Sequence, residues 1–399
     1  MKHTDYFQTA KVIDLPGMNH YPPRSPEFIL DYYRGEKGSV LVLEQLSRLM
    51  EWDTGEGWMR LWAYRALAHG ACGTIFFRWR TGRYGQEQHM DGILPHAGQE
   101  NRRYRELARM GMELKKVSLL IDRTQVRAEV ALLMGYESRW AMEAGIRLPA
   151  MQPHLDVERF AKIFLNRNIM IDAIDPHCDL SRYKLVVAPR LWLVDEDIAA
   201  NLSGFVARGG ILLLTAASGV VDEFNKSFDT PRPGPLAEMA GIEVSDLAPL
   251  EEPFTLTSLA APGLEGAQAS AMADEMHLTT AWVLANYGSG WRAGLPALTR
   301  NKWGSGQVYY LGTVINGAAL DALVGLLCKE AGVPDGPATP EGVRAYERRS
   351  DDTRLLFLIN ETSHTQVVKL DGTWRDAHTQ AACAEVEIPA VDVRLVFQK

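Results

Sequence analysis

The sequence predicts an α/β protein that ends in a small antiparallel β-domain. Two apolar runs of strand length, at residues 40–44 and 73–80, flank an amphipathic helix pattern at residues 57–71, as in a βαβ crossover of a parallel sheet. Strand and helix patterns alternate again between residues 118 and 216. After residue 342, short strand patterns alternate with polar turns, which is typical of antiparallel structure.

The N-terminal region contains strand patterns that are each followed by a helix pattern. A strand is predicted at residues 11–18, before a proline-rich loop at residues 19–26 and a short helix at residues 28–35. After the crossover, a long charged helix is predicted at residues 99–117. This gives about three strand-helix units, and a closed barrel needs about eight.

The following region has the alternation of a doubly wound, flavodoxin-like α/β domain. Its predicted elements are strands at residues 118–123, 129–134, 169–175, 183–189 and 211–216, helices at 155–169, 196–210 and 318–333, and a hairpin at 296–313. Residues 334–342 have the composition of a linker, and the remaining residues suit a small antiparallel β-sandwich. The predicted domains are therefore residues 1–117, 118–333 and 334–399.

Composition and charge argue against several classes of partner. The chain has 399 residues, of which 46% are apolar, and its net charge is −8. Nucleic acid and anionic membrane surfaces are disfavoured because no basic face stands out. No run of about eighteen apolar residues occurs, and the N-terminus lacks the apolar core of a signal peptide. The sequence thus predicts neither a membrane span nor a nucleic-acid partner.

The cysteines indicate a reducing compartment. Cys72, Cys178, Cys328 and Cys383 are far apart, and no CxxC pair occurs. This spacing favours free thiols of a cytoplasmic protein over a disulfide framework or a zinc site. Cys178 is not at a strand-to-helix elbow, so it is not predicted to be a nucleophile. The sequence predicts no metal site and no cofactor.

Two carboxylates follow the two strands of the crossover. Glu44 ends the first strand pattern, and Glu87 lies a few residues beyond the second. Parallel α/β sheets and barrels place their chemistry at the carboxyl ends of their strands, so both acids are expected at the same rim.

A spaced set of motifs in this region resembles glycoside hydrolase family 42, the β-galactosidases. The motifs are NHYP at residues 19–22, YRG at 33–35, LEQ at 43–45, Trp52, RLWAYRALAHGA at 60–71, FFRWR at 76–80 and GQEQ at 85–88. The resemblance implies that residues 1–117 are the C-terminal part of a (β/α)8 catalytic barrel. It also implies a trimerisation domain at residues 118–333, a small C-terminal β-domain, and assembly as a homotrimer.

The resemblance assigns roles to individual residues. Glu44 matches the nucleophile that attacks the anomeric carbon of a galactoside and forms a covalent glycosyl-enzyme. Trp52 matches a tryptophan that lines the sugar site, where its aromatic face packs on the pyranose. Glu87 matches a glutamate that binds sugar hydroxyls, and Tyr21 matches a tyrosine close to the nucleophile. The family has a histidine where this sequence has Met90, so either His89 reaches into the site from a shifted loop and binds substrate in its place, or the contact is lost.

A larger departure concerns the second carboxyl group. In the family, the acid/base glutamate follows an asparagine on an earlier barrel strand, which precedes anything that matches this sequence. Retaining hydrolysis needs two carboxyl groups about 5 to 5.5 Å apart. The expectation is therefore a β-galactosidase that is active only with a partner chain that supplies the N-terminal half of the barrel.

Other interpretations stay open from the sequence. Glu44 at a strand end is also consistent with a buried acid paired with Arg78 or Arg80, and Trp52 with a packing residue. Glu87 is also consistent with a solvated loop acid, and His69 is expected to stabilise a helix C-terminus. For the whole chain, one alternative is a non-catalytic oligomerisation or sugar-binding protein with a vestigial site. Another is an autonomous enzyme of changed chemistry that a neighbouring subunit completes.

Overall fold

The structure is a computed structural model that describes residues 4–22, 25–48, 55–90, 92–145 and 153–399. The chain divides into two units, each with its own core. The first unit comprises Met1–Arg127, Leu165–Met170 and Asp335–Lys399, and the second comprises Ala128–Phe164 and Ile171–Pro334.

The first unit contains a parallel sheet with its helices and a separate antiparallel sheet. Its elements are α1 (Tyr6–Ala10), β1 (Gly17–His20), α2 (Ile29–Lys37), β2 (Val40–Leu46), α3 (Trp58–Ala68), β3 (Ala71–Phe77), α4 (Arg102–Asp122), β15 (Val343–Arg349), β16 (Arg354–Asn360), β17 (Gln366–Asp376), β18 (Ala382–Ile388) and β19 (Asp392–Gln398).

The three N-terminal strands form a parallel sheet with β2 in the middle. The predicted crossover is formed by β2, α3 and β3. On one face of the sheet, Val40 and Val42 of β2 pack against Leu30 of α2 and Ala66 of α3. Side chains alternate between the two faces along a strand. Glu44 lies on the other face of β2, because the strand changes register before this residue.

Helix α3 is covered on almost every side. Nine of its eleven residues are buried, as expected for a helix that packs on several layers at once. It contacts β2 and β3, α4, and the C-terminal strands β15, β16 and β19. Arg348 of β15 is buried and donates to the carbonyl of Leu67 in α3 and to those of Ile121 and Thr124 at the end of α4. The last carbonyls of a helix lack partners within that helix. The guanidinium of Arg348 donates to carbonyls at the ends of both helices and so links β15 to α3 and α4.

The C-terminal strands differ from the predicted sandwich. They form one antiparallel sheet in the order β15-β16-β19-β17-β18. β17 pairs with β18, shifts register between Lys369 and Trp374, and reaches β19 through Arg375 and Asp376 at its end. A register shift bends a strand, so one sheet encloses a core that includes Trp374 and inward side chains from all five strands.

The second unit is built on one large mixed sheet. Its elements are β4 (Val130–Leu133), α5 (Tyr136–Ala144), α6 (Pro153–Asn166, whose last two residues belong to the first unit), β5 (Ile171–Ile174), β6 (Leu185–Ala188), α7 (Glu196–Ala207), β7 (Ile211–Thr215), α8 (Ala237–Ala240), β8 (Ile242–Pro249), β9 (Phe254–Ser258), β10 (Gln268–Leu278), β11 (Trp282–Tyr287), β12 (Pro296–Trp303), β13 (Gly306–Leu311), β14 (Thr313–Val314) and α9 (Gly317–Ala331).

The parallel part of this sheet has the strand order β5-β4-β6-β7-β13. Counted along the chain, this is the order 2-1-3-4-5 of one common doubly wound sheet. Strands β4 to β7 are buried along their full lengths, as expected when helices cover both faces of a parallel sheet. From β13 the sheet continues through the antiparallel strands β12, β11, β9 and β10, and β10 also pairs with β8 and β14.

The described structure differs from the sequence-based expectations at other places as well. The strand predicted at residues 118–123 is wrong, because this segment is the last part of α4, where Val117 and Ile121 share the buried face with Met110. The strand predicted at residues 11–18 begins only at Gly17, after α1 and a turn. The strands β8 to β11 were not predicted, because their burial alternates with little regularity.

A buried ionic network joins α2, α3 and β15. The ring of His69, which follows α3, contacts Asp31 Oδ1 through Nδ1 at 2.7 Å and Glu27 Oε1 through Nε2 at 3.1 Å. Arg34 also donates to Asp31 at 2.6 Å, and the hydroxyl of Tyr346 donates to Glu27. Burial alone lowers the pKa of His69, but the two carboxylates outweigh it and raise the pKa to about 9. His69 is thus a buried cation at the helix end.

We expect this network to make stability depend on pH. A raised pKa in the folded state means that the contribution of His69 is fully present below pH 6.5 and is lost as the pH rises through about 9. Since one pKa unit corresponds to about 1.4 kcal/mol, the loss is on the order of 3 kcal/mol. Urea unfolding followed by circular dichroism across this range measures it.

The matched control for this pH dependence is His69→Gln. His177 in the second unit also has a pKa that hydrogen bonds to Asp175 and Asp195 raise to about 9, so the wild-type curve contains both contributions. The difference between wild type and His69→Gln isolates the contribution of His69. Parallel curves for the two proteins would contradict the assignment.

Candidate active site

Glu44 lies near the carboxyl end of β2, at a β-bulge. On the β1 side, Met18 pairs with Val42 and Asn19 with Glu44, so β2 has one extra residue, Leu43. The β3 side shows the same extra residue between Val42 and the next paired position, Gln45. Without the bulge, Glu44 would share the buried face of Val42, because strand side chains alternate. The bulge moves Glu44 to the open face and leaves Gln45 buried.

Two side chains from the end of β1 hold one oxygen of Glu44. Asn19 Nδ2 donates to Glu44 Oε2 at 2.8 Å, and the Tyr21 hydroxyl donates to the same oxygen. Burial, the hydrogen bond to Glu44, and the charges of Glu44 and Glu87 raise the pKa of Tyr21 well above its usual value. The phenol therefore stays protonated at neutral pH and remains a donor to the carboxylate.

Glu87 lies in the loop that follows β3 and is held by Arg78. Arg78 Nη1 lies 3.2 Å from Glu87 Oε2, and Nη2 donates to the Glu87 carbonyl at 2.7 Å. The guanidinium of Arg80 instead donates to the carbonyl of His96. The described contacts therefore contradict the interpretation of Glu44 as a salt-bridge partner of Arg78 or Arg80. Glu87 is 54% exposed in its loop, so the interpretation of a solvated loop acid stays open beside the binding role.

The other predicted binding residues are His89 and Trp52. His89 is exposed in the loop with Glu87, where its Nε2 lies 3.0 Å from the amide nitrogen of Gln88 and its ring lies 6.5 Å from that of His96. Met90 follows it and is 37% exposed. Trp52 lies outside the described residues.

The structure adds two residues that the sequence did not single out. Asn19 contacts Glu44 and lies two positions before the predicted tyrosine. Residues two apart on a strand face the same side, so this spacing in NHYP was the signal that could have identified Asn19. Trp79 follows β3 with 61% of its surface exposed and packs edge-on to Tyr104 at 6.1 Å. An exposed indole at a strand end offers an aromatic face to a ligand.

The open face of the parallel sheet is apolar around Glu44. Leu43 is 45% exposed and Ile75 of β3 is 51% exposed. Exposed aliphatic side chains that are neighbours on a sheet are typical of a surface that another layer covers.

Two other kinds of site are absent from the part of the chain that the structure describes. There, no group of three or more His, Cys, Asp or Glu side chains is arranged to hold a metal ion. In the same residues, no helix has both the length and the apolar character needed to cross a membrane.

Family models match most of the chain. A β-galactosidase model matches residues 1–117, and a model of the β-galactosidase trimerisation domain matches residues 128–334. The chain belongs to glycoside hydrolase family 42. This family 42 chain is 33% identical to β-galactosidase BgaB of Geobacillus sp., over 92% of its own length and 57% of the relative. It is 30% identical to β-galactosidase LacZ of Heyndrickxia coagulans, over 100% of its length and 62% of the relative.

Solved structures agree with this assignment. The crystal structure of β-galactosidase from Bacillus circulans sp. alkalophilus superposes on the family 42 chain with a TM-score of 0.94 and 31% sequence identity. The match covers 100% of this chain and 62% of that one. The predicted resemblance and the α/β fold are thereby confirmed. The family 42 chain spans about three fifths of the length of these relatives.

Proposed function

We propose that this chain provides the nucleophile and part of the sugar site of a retaining β-galactosidase. The observation that carries the proposal is Glu44 on the open face of the sheet, with Asn19 and Tyr21 both bonded to its Oε2. In the proposed reaction, Oε1 attacks the anomeric carbon, the bond to the leaving oxygen breaks, and a covalent glycosyl-enzyme forms.

The remaining predicted residues have proposed roles in binding. Glu87 accepts hydrogen bonds from sugar hydroxyls while Arg78 holds it in place, because a charged acceptor binds a hydroxyl more strongly than a neutral one. Trp52 lines the sugar site, and His89 replaces the histidine that the family has at the position of Met90. These roles rest on the family resemblance.

The proton donor is proposed to come from a partner. Retaining hydrolysis uses a second carboxyl group about 5 to 5.5 Å from the nucleophile. The described contacts of Glu44 are an amide and a phenol, and Glu87 is paired with a guanidinium. A separate chain that carries the N-terminal half of the barrel would supply the acid and cover the apolar side chains of Leu43 and Ile75.

The proposal also covers the oligomeric state, the domain organisation and the location of the protein. The match to the trimerisation domain supports an oligomeric glycosidase, and we propose a homotrimer. The three proposed domains are a barrel part at residues 1–117, a flavodoxin-like domain at 118–333, which the 2-1-3-4-5 strand order supports, and a β-domain at 334–399. A cytoplasmic location is proposed from the four free cysteines.

We expect an activated galactoside to label the purified chain without a partner. The probe is a dinitrophenyl β-galactoside with fluorine in place of the hydroxyl next to the anomeric carbon, called here the fluorogalactoside. Dinitrophenolate leaves with its electron pair and needs no proton, so the step requires the nucleophile alone. Intact mass spectrometry should show one added fluorogalactosyl group, and peptide mapping should place it on Glu44.

The controls distinguish the proposed function from its alternative. The unlabelled chain serves as the mass standard, and the corresponding fluoroglucoside tests sugar selectivity. A label on another residue, or no label at saturating probe, would refute the nucleophile role. Absence of the label together with galactose binding, measured by calorimetry, would favour a non-catalytic sugar-binding protein.

A further inference from the structure

Two buried polar side chains follow Glu44, one at the end of β2 and one just after it, and they bond to the ends of the two neighbouring strands. Gln45 Nε2 donates to the carbonyl of His20 at the end of β1 at 3.2 Å. Ser47 Oγ donates to the carbonyl of Phe77 at the end of β3. Gln45 and Ser47 are both fully buried. The end of β2 is therefore tied sideways to both neighbours by side chains, in addition to the backbone ladder.

These bonds lie where the ladder is weakest. The extra residue Leu43 interrupts the regular pairing of β2 on both sides, just before Gln45. A bulge leaves one residue unpaired and locally disrupts the ladder. If the register slipped by one residue, Glu44 would turn to the buried face, because side-chain direction alternates along the strand.

The bond made by Gln45 also acts on the partners of Glu44. His20 stands between Asn19 and Tyr21, the two residues that bond to Glu44 Oε2. Fixing the carbonyl of His20 therefore fixes the backbone from which both donors project. Gln45 and Glu44 are adjacent, so one strand end carries the carboxylate and also holds its partners.

We propose that Gln45 and Ser47 are positioning residues that hold the bulge in register and keep Glu44 against Asn19 and Tyr21. The positioning role is inferred from the hydrogen bonds of Gln45 and Ser47, and only its effect on the labelling rate rests on the proposed function. The simpler account is that these side chains merely satisfy buried carbonyls. That account predicts a loss of stability without any change at Tyr21, so a signal from Tyr21 separates the two.

The test uses Gln45→Met, which keeps the length of the side chain without its amide, and Ser47→Ala, which removes one oxygen. The matched control is Gln268→Met, because the exposed Gln268 also donates to a backbone carbonyl, that of Gly266, but lies in the second unit. Folding is checked by circular dichroism. If Gln45→Met does not fold, Ser47→Ala carries the same test with a smaller change.

The first readout is the carbon NMR signal of the Tyr21 ring carbon that bears the hydroxyl, at neutral pH. Tyr21→Phe assigns the signal, and Glu44→Gln shows its position when the carboxylate is absent. We expect Gln45→Met and Ser47→Ala to move the signal most of the way towards that position, and Gln268→Met to leave it unchanged. An unmoved signal in both positioning variants would overturn the proposal, whatever the labelling shows.

The second readout is the rate of labelling by the fluorogalactoside. We expect the maximal labelling rate to fall about ten- to a hundredfold in both variants, with the probe affinity unchanged, because small displacements of a reacting group are costly. A wild-type chain that is not labelled, combined with a moved Tyr21 signal, would uphold the positioning role and reject the nucleophile. Labelling at the wild-type rate in both variants would overturn the kinetic part of the proposal.

Discussion

The Glu44→Gln variant is expected to react with the fluorogalactoside about a thousandfold or more slowly than the wild-type chain. The amide keeps the shape of the carboxylate and still accepts a hydrogen bond from Asn19, but its oxygen is a far weaker nucleophile. The loss should therefore appear in the maximal labelling rate, with little change in probe affinity. Stopped-flow absorbance of dinitrophenolate and intact mass spectrometry measure the two quantities.

The control for this loss is Glu385→Gln, which removes a surface carboxylate on β18 that is 60% exposed and pairs with Lys369. It should label at the wild-type rate. Glu87→Gln should weaken probe affinity more than it lowers the maximal rate, since its proposed role is in binding. Equal labelling of Glu44→Gln and the wild-type chain would remove Glu44 from the chemistry.

Azide provides an independent check on the proposal that a partner supplies the acid/base. Once a galactosyl group is attached to Glu44, water needs a general base to release it, whereas azide attacks as an anion and needs none. Azide should therefore accelerate turnover of the unfluorinated dinitrophenyl galactoside by the isolated chain and give galactosyl azide. Turnover that azide does not change would show that a general base is already present.

The Asp31→Ala variant is expected to lose about 3 to 5 kcal/mol of unfolding free energy. Asp31 is fully buried and accepts from Arg34 at 2.6 Å and from His69 at 2.7 Å. Its removal leaves two buried cations with one fewer counter-charge, and this uncompensated charge costs more than the pairs contribute. Urea unfolding at pH values below 6.5, where His69 is protonated, measures the change.

The matched comparison is Asp351→Ala. Asp351 also pairs with an arginine, Arg127, but its side chain is 95% exposed. Exposed pairs contribute little because water and salt screen them. Similar losses of unfolding free energy in Asp31→Ala and Asp351→Ala would show that burial does not determine how much the network contributes to stability.

The carboxyl ends of the strands could be predicted from sequence, but the direction of Glu44 could not. The apolar runs predict β2 and β3 near their observed positions, although β2 continues to Leu46, past Glu44, and β3 ends at Phe77. Simple alternation, however, assigns Glu44 to the same face as Val40 and Val42, which are buried. Only the extra residue Leu43 turns it outward, and nothing in VLVLEQL distinguishes a bulged from a regular strand.

The other differences have similar physical causes. The apolar residues after Lys116 suit either a strand or the last turns of a helix. In the structure they continue α4, with Val117 and Ile121 among its buried residues. Asn19 was not singled out because a contact across 25 residues depends on strand register. Local patterns specify elements, whereas register and long-range pairing depend on the assembled sheet.

The guanidinium of Arg348 has a consequence for how the chain can be shortened. It belongs to β15, yet it donates to carbonyls at the ends of α3, which contacts the strand of Glu44, and of α4, which contacts α3. Trimming the chain before β15 would therefore remove the contacts of α3 with β15, β16 and β19, although nine of its eleven residues are buried in the folded protein. The strand of Glu44 therefore depends on the C-terminal sheet through α3, so a shortened version of this protein must retain that sheet.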